Sequence, residues 1–124
     1  MRDVMTPAPH TIGSDQTLAR AHRMMRDGNL RHLPVLRAGE LVGVLSERDL
    51  YFMETIRSVD ANIDQVLDAM TPDVFTVGPD DLLKDVASEM AVRKYGCAVV
   101  VEGSRVLGIF TATDALHHLA EKLG

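Results

Sequence analysis

The chain has 124 residues, 46% hydrophobic and 25% charged, with a net charge of −5. This is the composition of a folded globular domain, not of a disordered one. The acidic balance and the lack of any lysine or arginine run argue against nucleic acid, no apolar run nears the roughly 18 residues of a membrane span, and the lone Cys97 excludes an internal disulfide.

In chain order, Met5-Thr6-Pro7 opens a pattern that recurs at Met70-Thr71-Pro72, 65 residues later and without a gap. Thr11 falls on Thr76, Gly13 on Gly78, Asp15 on Asp80, Leu18 on Leu83, Met25 on Met90, Val35 on Val100, Gly43 on Gly108 and Asp49 on Asp114, so that residues 5 to 50 hold eleven identities. Solenoids need about three or more copies, so two copies are expected to close on each other about a pseudo-two-fold axis. Each copy is near the size at which an isolated core is marginal, and one joint core is therefore expected.

After Thr-Pro, Thr11-Ile12 and Thr76-Val77 predict a short strand, and Ser14-Asp15 and Pro79-Asp80 a helix start with capping groups. Leu18, Ala21 and Met25, like Leu83, Val86, Ala87 and Met90, then mark the apolar face of an amphipathic helix. Gly28-Asn29 and Lys94-Tyr95-Gly96 end those helices. Two apolar runs joined by a tight turn follow in each copy, 32–36 with 41–45 and 97–101 with 106–110, predicting antiparallel hairpins buried on both faces. A last helix opens at Arg48-Asp49 and at Thr113-Asp114, and Asp64 to Ala69 predict a helical turn in the bridge between copies. The fold class is α/β (α+β): two β-α-β-β-α repeats packed through small sheets. The first repeat covers residues 1–57, a linker 58–68, and the second repeat 69–124.

The pattern richest in chemistry is Gly43-Val44-Leu45-Ser46-Glu47-Arg48-Asp49 with Gly108-Ile109-Phe110-Thr111-Ala112-Thr113-Asp114. Ser/Thr-x-x-Asp before a helix is a capping box on one reading. On the other it is part of a nucleotide site, in which a helix start offers amides to phosphate, a hydroxyl donates, and a carboxylate takes a ribose diol. The capping reading alone leaves unexplained the glycine three positions before each hydroxyl, where a missing Cβ lets something approach the strand.

These residues, with Arg31-His32-Leu33-Pro34-Val35 and the Met-Thr-Pro openings, resemble a tandem pair of cystathionine beta-synthase (CBS) domains, a Bateman module, over about residues 2 to 120. The resemblance implies adenosine-containing ligands such as AMP, ADP, ATP or S-adenosylmethionine in two clefts between the repeats. One cleft would use Thr111 and Asp114 with Thr11, Ile12, Arg31, His32, Leu33 and Pro34. The other would use Ser46, Arg48 and Asp49 with Thr76, Val77, Gly96, Cys97, Ala98 and Val99. Two basic donors favour the Asp114 cleft as the tighter one. The resemblance also implies a homodimer formed through the last helices and a regulated partner or fused domain. A structural dimerisation module with empty clefts is the alternative.

No nucleophile setting, phosphate loop or metal triad marks an enzyme, and neither a metal nor a cofactor is expected. Cys97 reads as an inert buried thiol, the adjacent His117 and His118 as surface residues, and His22 as a helix-boundary residue. Met1-Arg2-Asp3-Val4 carries no apolar leader, so the expected location is the cytoplasm.

Overall fold

The computed structural model describes residues 1–56 and 58–124. Its elements run β1 (Thr6–Pro7), β2 (Ile12–Gly13), α1 (Leu18–Gly28), β3 (His32–Arg37), β4 (Glu40–Ser46), α2 (Glu47–Glu54), α3 (Val66–Ala69), β5 (Thr76–Val77), α4 (Leu83–Arg93), β6 (Cys97–Glu102), β7 (Arg105–Thr111) and α5 (Ala112–Leu123). The predicted β-α-β-β-α order is thus present twice, with α3 at the expected helical turn. Packing groups the chain into two units, His10–Val74 and Phe75–Gly124 with Met1–Pro9.

In the His10–Val74 unit the sheet order is β2-β3-β4, with β2 parallel to β3 and β3 antiparallel to β4. The hairpin turns at Ala38 (φ 51°) and Gly39 (φ 80°), both left-handed as a type I′ turn requires. Helix α1 turns Leu18, Ala21 and Met25 into a core with Ile12, Leu33, Val35, Leu45, Leu50 and Val66. Leu33 and Leu45 are fully enclosed, and each such side chain contributes about 1.5–3 kcal/mol by leaving water.

The other unit has the sheet order β1-β7-β6-β5, and its core joins Met1, Val77, Val86, Met90, Ala98, Val100 and Phe110. Each unit therefore has its own buried cluster. Each cluster also takes in a Met-Thr-Pro segment from the far side of the 65-residue repeat: Met5 packs on the second cluster and Met70 on the first.

Those segments pair with the last hairpin strand. Thr6 lies opposite Ile109 and Pro7 opposite Gly108. Val44 and Thr71 exchange both backbone hydrogen bonds at 2.9 Å. A Cβ on Gly43 would sit 2.6 Å from Met70 Sδ and 2.9 Å from the Thr71 carbonyl oxygen. One on Gly108 would strike Met5 Sδ and lie 2.9 Å from the Thr6 carbonyl. The paired glycines are explained by this backbone contact, so they are not evidence for a ligand. A bulge follows at the same place in both hairpins, between Val35 and Leu36 and between Val100 and Val101.

The helix starts differ from the prediction. Thr17, not Ser14 or Asp15, caps α1 by accepting from the Arg20 amide at 3.2 Å. At α4 the equivalent position is Leu82, which offers no cap and is 65% exposed. The residues before the helix are used by a turn, Gln16 N–H to Gly13 C=O and Asp81 N–H to Gly78 C=O. At the helix ends, Asn29 (φ 51°) and Lys94 (φ 61°) hold the same left-handed position, which costs a lysine more than an asparagine.

Gly43→Ala and Gly108→Ala are each expected to destabilise the protein by about 1–3 kcal/mol in chemical denaturation. Adding Met5→Ala to Gly108→Ala should recover only part of the loss, because the Thr6 carbonyl remains in the way. Conversely, Leu82→Thr and Lys94→Asn, which import the first copy's residues, should each stabilise by about 0.5–1 kcal/mol and raise Tm by a few degrees. Their effects should add, since they sit at opposite ends of α4.

Candidate functional site

Both Ser/Thr-x-x-Asp motifs fold as full capping boxes. Ser46 Oγ accepts from the Asp49 amide at 3.0 Å, while Asp49 Oδ2 accepts from the Ser46 amide at 2.9 Å. Thr111 Oγ1 accepts from Asp114 N–H at 3.1 Å, and Asp114 Oδ2 from Thr111 N–H at 2.9 Å. The next amide is used as well: Glu47 N–H donates to Arg31 C=O at 2.8 Å and Ala112 N–H to Gly96 C=O at 2.9 Å. Among the described residues, only the Arg48 and Thr113 amides remain without a partner at these helix starts. The supply of free amides for a phosphate is thus smaller than the motif suggests.

What the boxes leave open is the second carboxylate oxygen. Oδ1 of Asp49 and of Asp114 takes no hydrogen bond among the described residues. Each hydroxyl accepts once and keeps its own proton to donate. The box locks the carboxylate rotamer, so Oδ1 is held in place before any ligand arrives. The capping and binding readings of the motif are therefore compatible. Ser46, Asp49, Thr111 and Asp114 are all half-buried.

Residues predicted to surround a ligand divide by exposure. The side chains of Ile12, Leu33, Pro34, Val77, Cys97, Ala98 and Val99 are buried, so only their backbone can meet a solute. Arg31, Arg48, Thr76 and Gly96 are exposed, and Thr11 and His32 half-buried. Within the first unit the ladder sets His32 opposite Ser46, and Arg31 bonds to the helix start after it. Within the other, Cys97 lies opposite Thr111 and Thr76 opposite Val99. Each hairpin start thus adjoins the capping box of its own unit, a pairing the sequence reading did not draw. The antiparallel register of 32–36 with 41–45 carried that signal.

Charge differs between the two places. Arg31, His32 and Arg48 stand at the Ser46 box, whereas Gly96, Cys97 and Thr113 occupy the same positions at the Thr111 box. Among the described residues no group of three or more His, Cys, Asp or Glu could hold a metal ion. His22 Nε2 lies 2.7 Å from Glu54 Oε1, tying α1 to α2 as a boundary residue would. His118 is half-buried with its ring 6.1 Å from that of Phe110, a departure from its expected surface position.

Burial pushes the Cys97 thiol from its ordinary 9.0 up to about 11. Cys97 should therefore resist iodoacetamide at neutral pH in the folded protein and react once the chain is unfolded. The folded state holds this proton more tightly, so the associated stability is complete below the unfolded value of 9.0 and is lost as pH rises toward 11. Cys97→Ala should remove up to about 2–3 kcal/mol of that alkaline loss, read as the difference between denaturation curves of the two proteins.

The model of the CBS domain matches this chain twice, over residues 1–52 and 63–121. An inosine-5′-monophosphate dehydrogenase from Korarchaeum cryptofilum is 33% identical over 118 residues, which are 94% of this chain but only 22% of that enzyme. Among solved structures, a Vibrio cholerae protein assigned to acetoin utilization, AcuB, superposes with a TM-score of 0.87 at 33% identity, covering 98% of this chain and 90% of that one. The CBS domain pair of protein MJ0100, in complex with 5′-methylthioadenosine and S-adenosyl-L-methionine, has a TM-score of 0.87 at 26% identity, covering 98% and 95%. With both repeats matched and the boxes formed in each, the chain belongs to the CBS domain family as a tandem pair.

Proposed function

We propose that this chain is a regulatory, non-catalytic module that binds adenosine-containing ligands at its two capping-box carboxylates and passes their occupancy to a partner. The observation that carries this reading is the duplicated Oδ1 of Asp49 and Asp114, fixed by the box and left without a partner among the described residues. A carboxylate in that state is suited to the two hydroxyls of a ribose. The complex of the MJ0100 CBS pair with two adenosyl compounds supports the ligand class. Arg31 and Arg48 suit a phosphate-bearing nucleotide at the Ser46 box, while the Thr111 box, with Gly96, Cys97 and Thr113, has no cation from the same positions.

Association into a homodimer through α5 belongs to the same proposal. Leu116, Leu119 and Leu123 recur at helical spacing and are 65%, 54% and 80% exposed. The same leucines support the second reading, a structural dimerisation module that holds no nucleotide. The chain corresponds to about a fifth of the dehydrogenase noted above, so a regulated enzyme or other effector is proposed as a separate or fused domain.

Calorimetric titration with AMP, ADP, ATP and S-adenosylmethionine separates the readings. Binding of at least one, weakened about 10- to 100-fold by Asp49→Ala or Asp114→Ala, is the expected result and matches the loss of a charge-assisted hydrogen bond. Because the same aspartates cap helices, each variant should also lose about 1 kcal/mol of stability, and the titrations belong well below its Tm. No binding by any of the four would leave the structural reading.

A further inference from the structure

We propose a second small-molecule site within the His10–Val74 unit, for a zwitterionic ligand of the α-amino-acid class. It lies at the hairpin-turn end of β3, whereas Ser46 faces the opposite end of that strand. A cavity of about 430 Å³, within the range of small-molecule pockets, is lined there by Thr11, Ser14, Asp15, Leu36, Arg37 and Gly39 among others.

Three side chains in this lining lack a structural use. Ser14 is only 7% exposed. Its amide donates to Leu36 C=O at 2.9 Å and its carbonyl accepts from Leu67 N–H at 3.0 Å, but its hydroxyl takes no hydrogen bond among the described residues. No fully enclosed side-chain polar atom among those residues lacks a partner, so this unpaired hydroxyl keeps access to solvent, and Ser14 lines the cavity. A hydroxyl in that state bonds water and can exchange it for a polar group of a bound solute. Asp15 and Arg37 carry opposite charges, yet neither forms an ion pair with the other or with any described residue.

The second copy is the internal control. Pro79 stands where Ser14 does, and Glu102 where Arg37 does. There Asp80 is paired with Arg2 at 3.8 Å, and the Arg2 amide donates to Pro79 C=O just as Leu67 does to Ser14. The same turn thus folds with no hydroxyl at the Ser14 position and no cation at the Arg37 position, so the fold itself requires neither Ser14 nor Arg37. Arg37 can take a carboxylate with two parallel donors and Ser14 can add a third, while Asp15 can take an ammonium. A simple anion would be opposed by Asp15 and a simple cation by Arg37, which points to a molecule bearing both charges.

The test is a thermal-shift and calorimetric panel of the L-α-amino acids on the full chain, with N-acetyl and methyl-ester derivatives of each that binds. At least one free amino acid should raise Tm by a few degrees at millimolar concentration, and both derivatives should bind about tenfold more weakly or worse. Arg37→Glu and Ser14→Ala should each weaken binding by a similar factor while leaving adenosyl binding unchanged, and Asp49→Ala should leave amino-acid binding unchanged. Arg37 is exposed in a turn, so its variant tests the site without threatening the core. Failure of every amino acid to bind, equal binding of the blocked derivatives, or binding that survives Arg37→Glu would each overturn the proposal, whatever the outcome with adenosyl ligands.

Discussion

The contact on which the architecture depends is the approach of a Met-Thr-Pro segment to the glycine of a hairpin strand. At Gly43 and at Gly108 a carbonyl oxygen comes so near the strand that a single methyl group would stand 2.9 Å from it. That closeness lets the segment add backbone hydrogen bonds to an edge that would otherwise be open. It also carries Met5 and Met70 onto the cores they help to fill. A core made from about 50 residues is marginal, and each unit enlarges its own by including a segment that lies at the other side of the repeat in sequence.

The helix starts show how a structural device can prepare a binding group. A carboxylate in a capping box spends one oxygen on the backbone and has the other oriented by the same bond. The helix requires that geometry regardless of any solute, so the organisation of the proposed binding group comes with the fold. It also limits what the site can do. With the cap, first and third amides engaged, recognition of a phosphate on the proposed reading would come chiefly from side chains, and among these positions Arg31, His32 and Arg48 belong to one copy only.

Divergence between the copies is informative because the backbone is held in common. Where Thr17 becomes Leu82 and Asn29 becomes Lys94, the second copy keeps the same helix with poorer ends. Where Ser14 and Arg37 become Pro79 and Glu102, it keeps the same turn without its hydroxyl and cation. The first kind of change concerns stability, the second the chemistry a surface can offer. Duplication supplies the comparison inside one chain.

The repeat, the order of elements, the hairpins and the capping motifs were legible in the residues because each rests on local rules: periodicity, turn chemistry and side chains that reach three residues along the backbone. The helix caps were displaced by a few residues, since Ser14 and Asp15 are the central residues of a turn closed by Gln16 N–H to Gly13 C=O, and the helix begins only after it. What only tertiary structure decided was non-local. It showed that the thing approaching Gly43 and Gly108 is the protein's own backbone, that Arg31 and Gly96 bond to the helix starts of their own units, and that Ser14 is buried with its hydroxyl unpaired. Such facts depend on contacts between residues up to about a hundred positions apart, and no pattern confined to a short stretch of sequence encodes them.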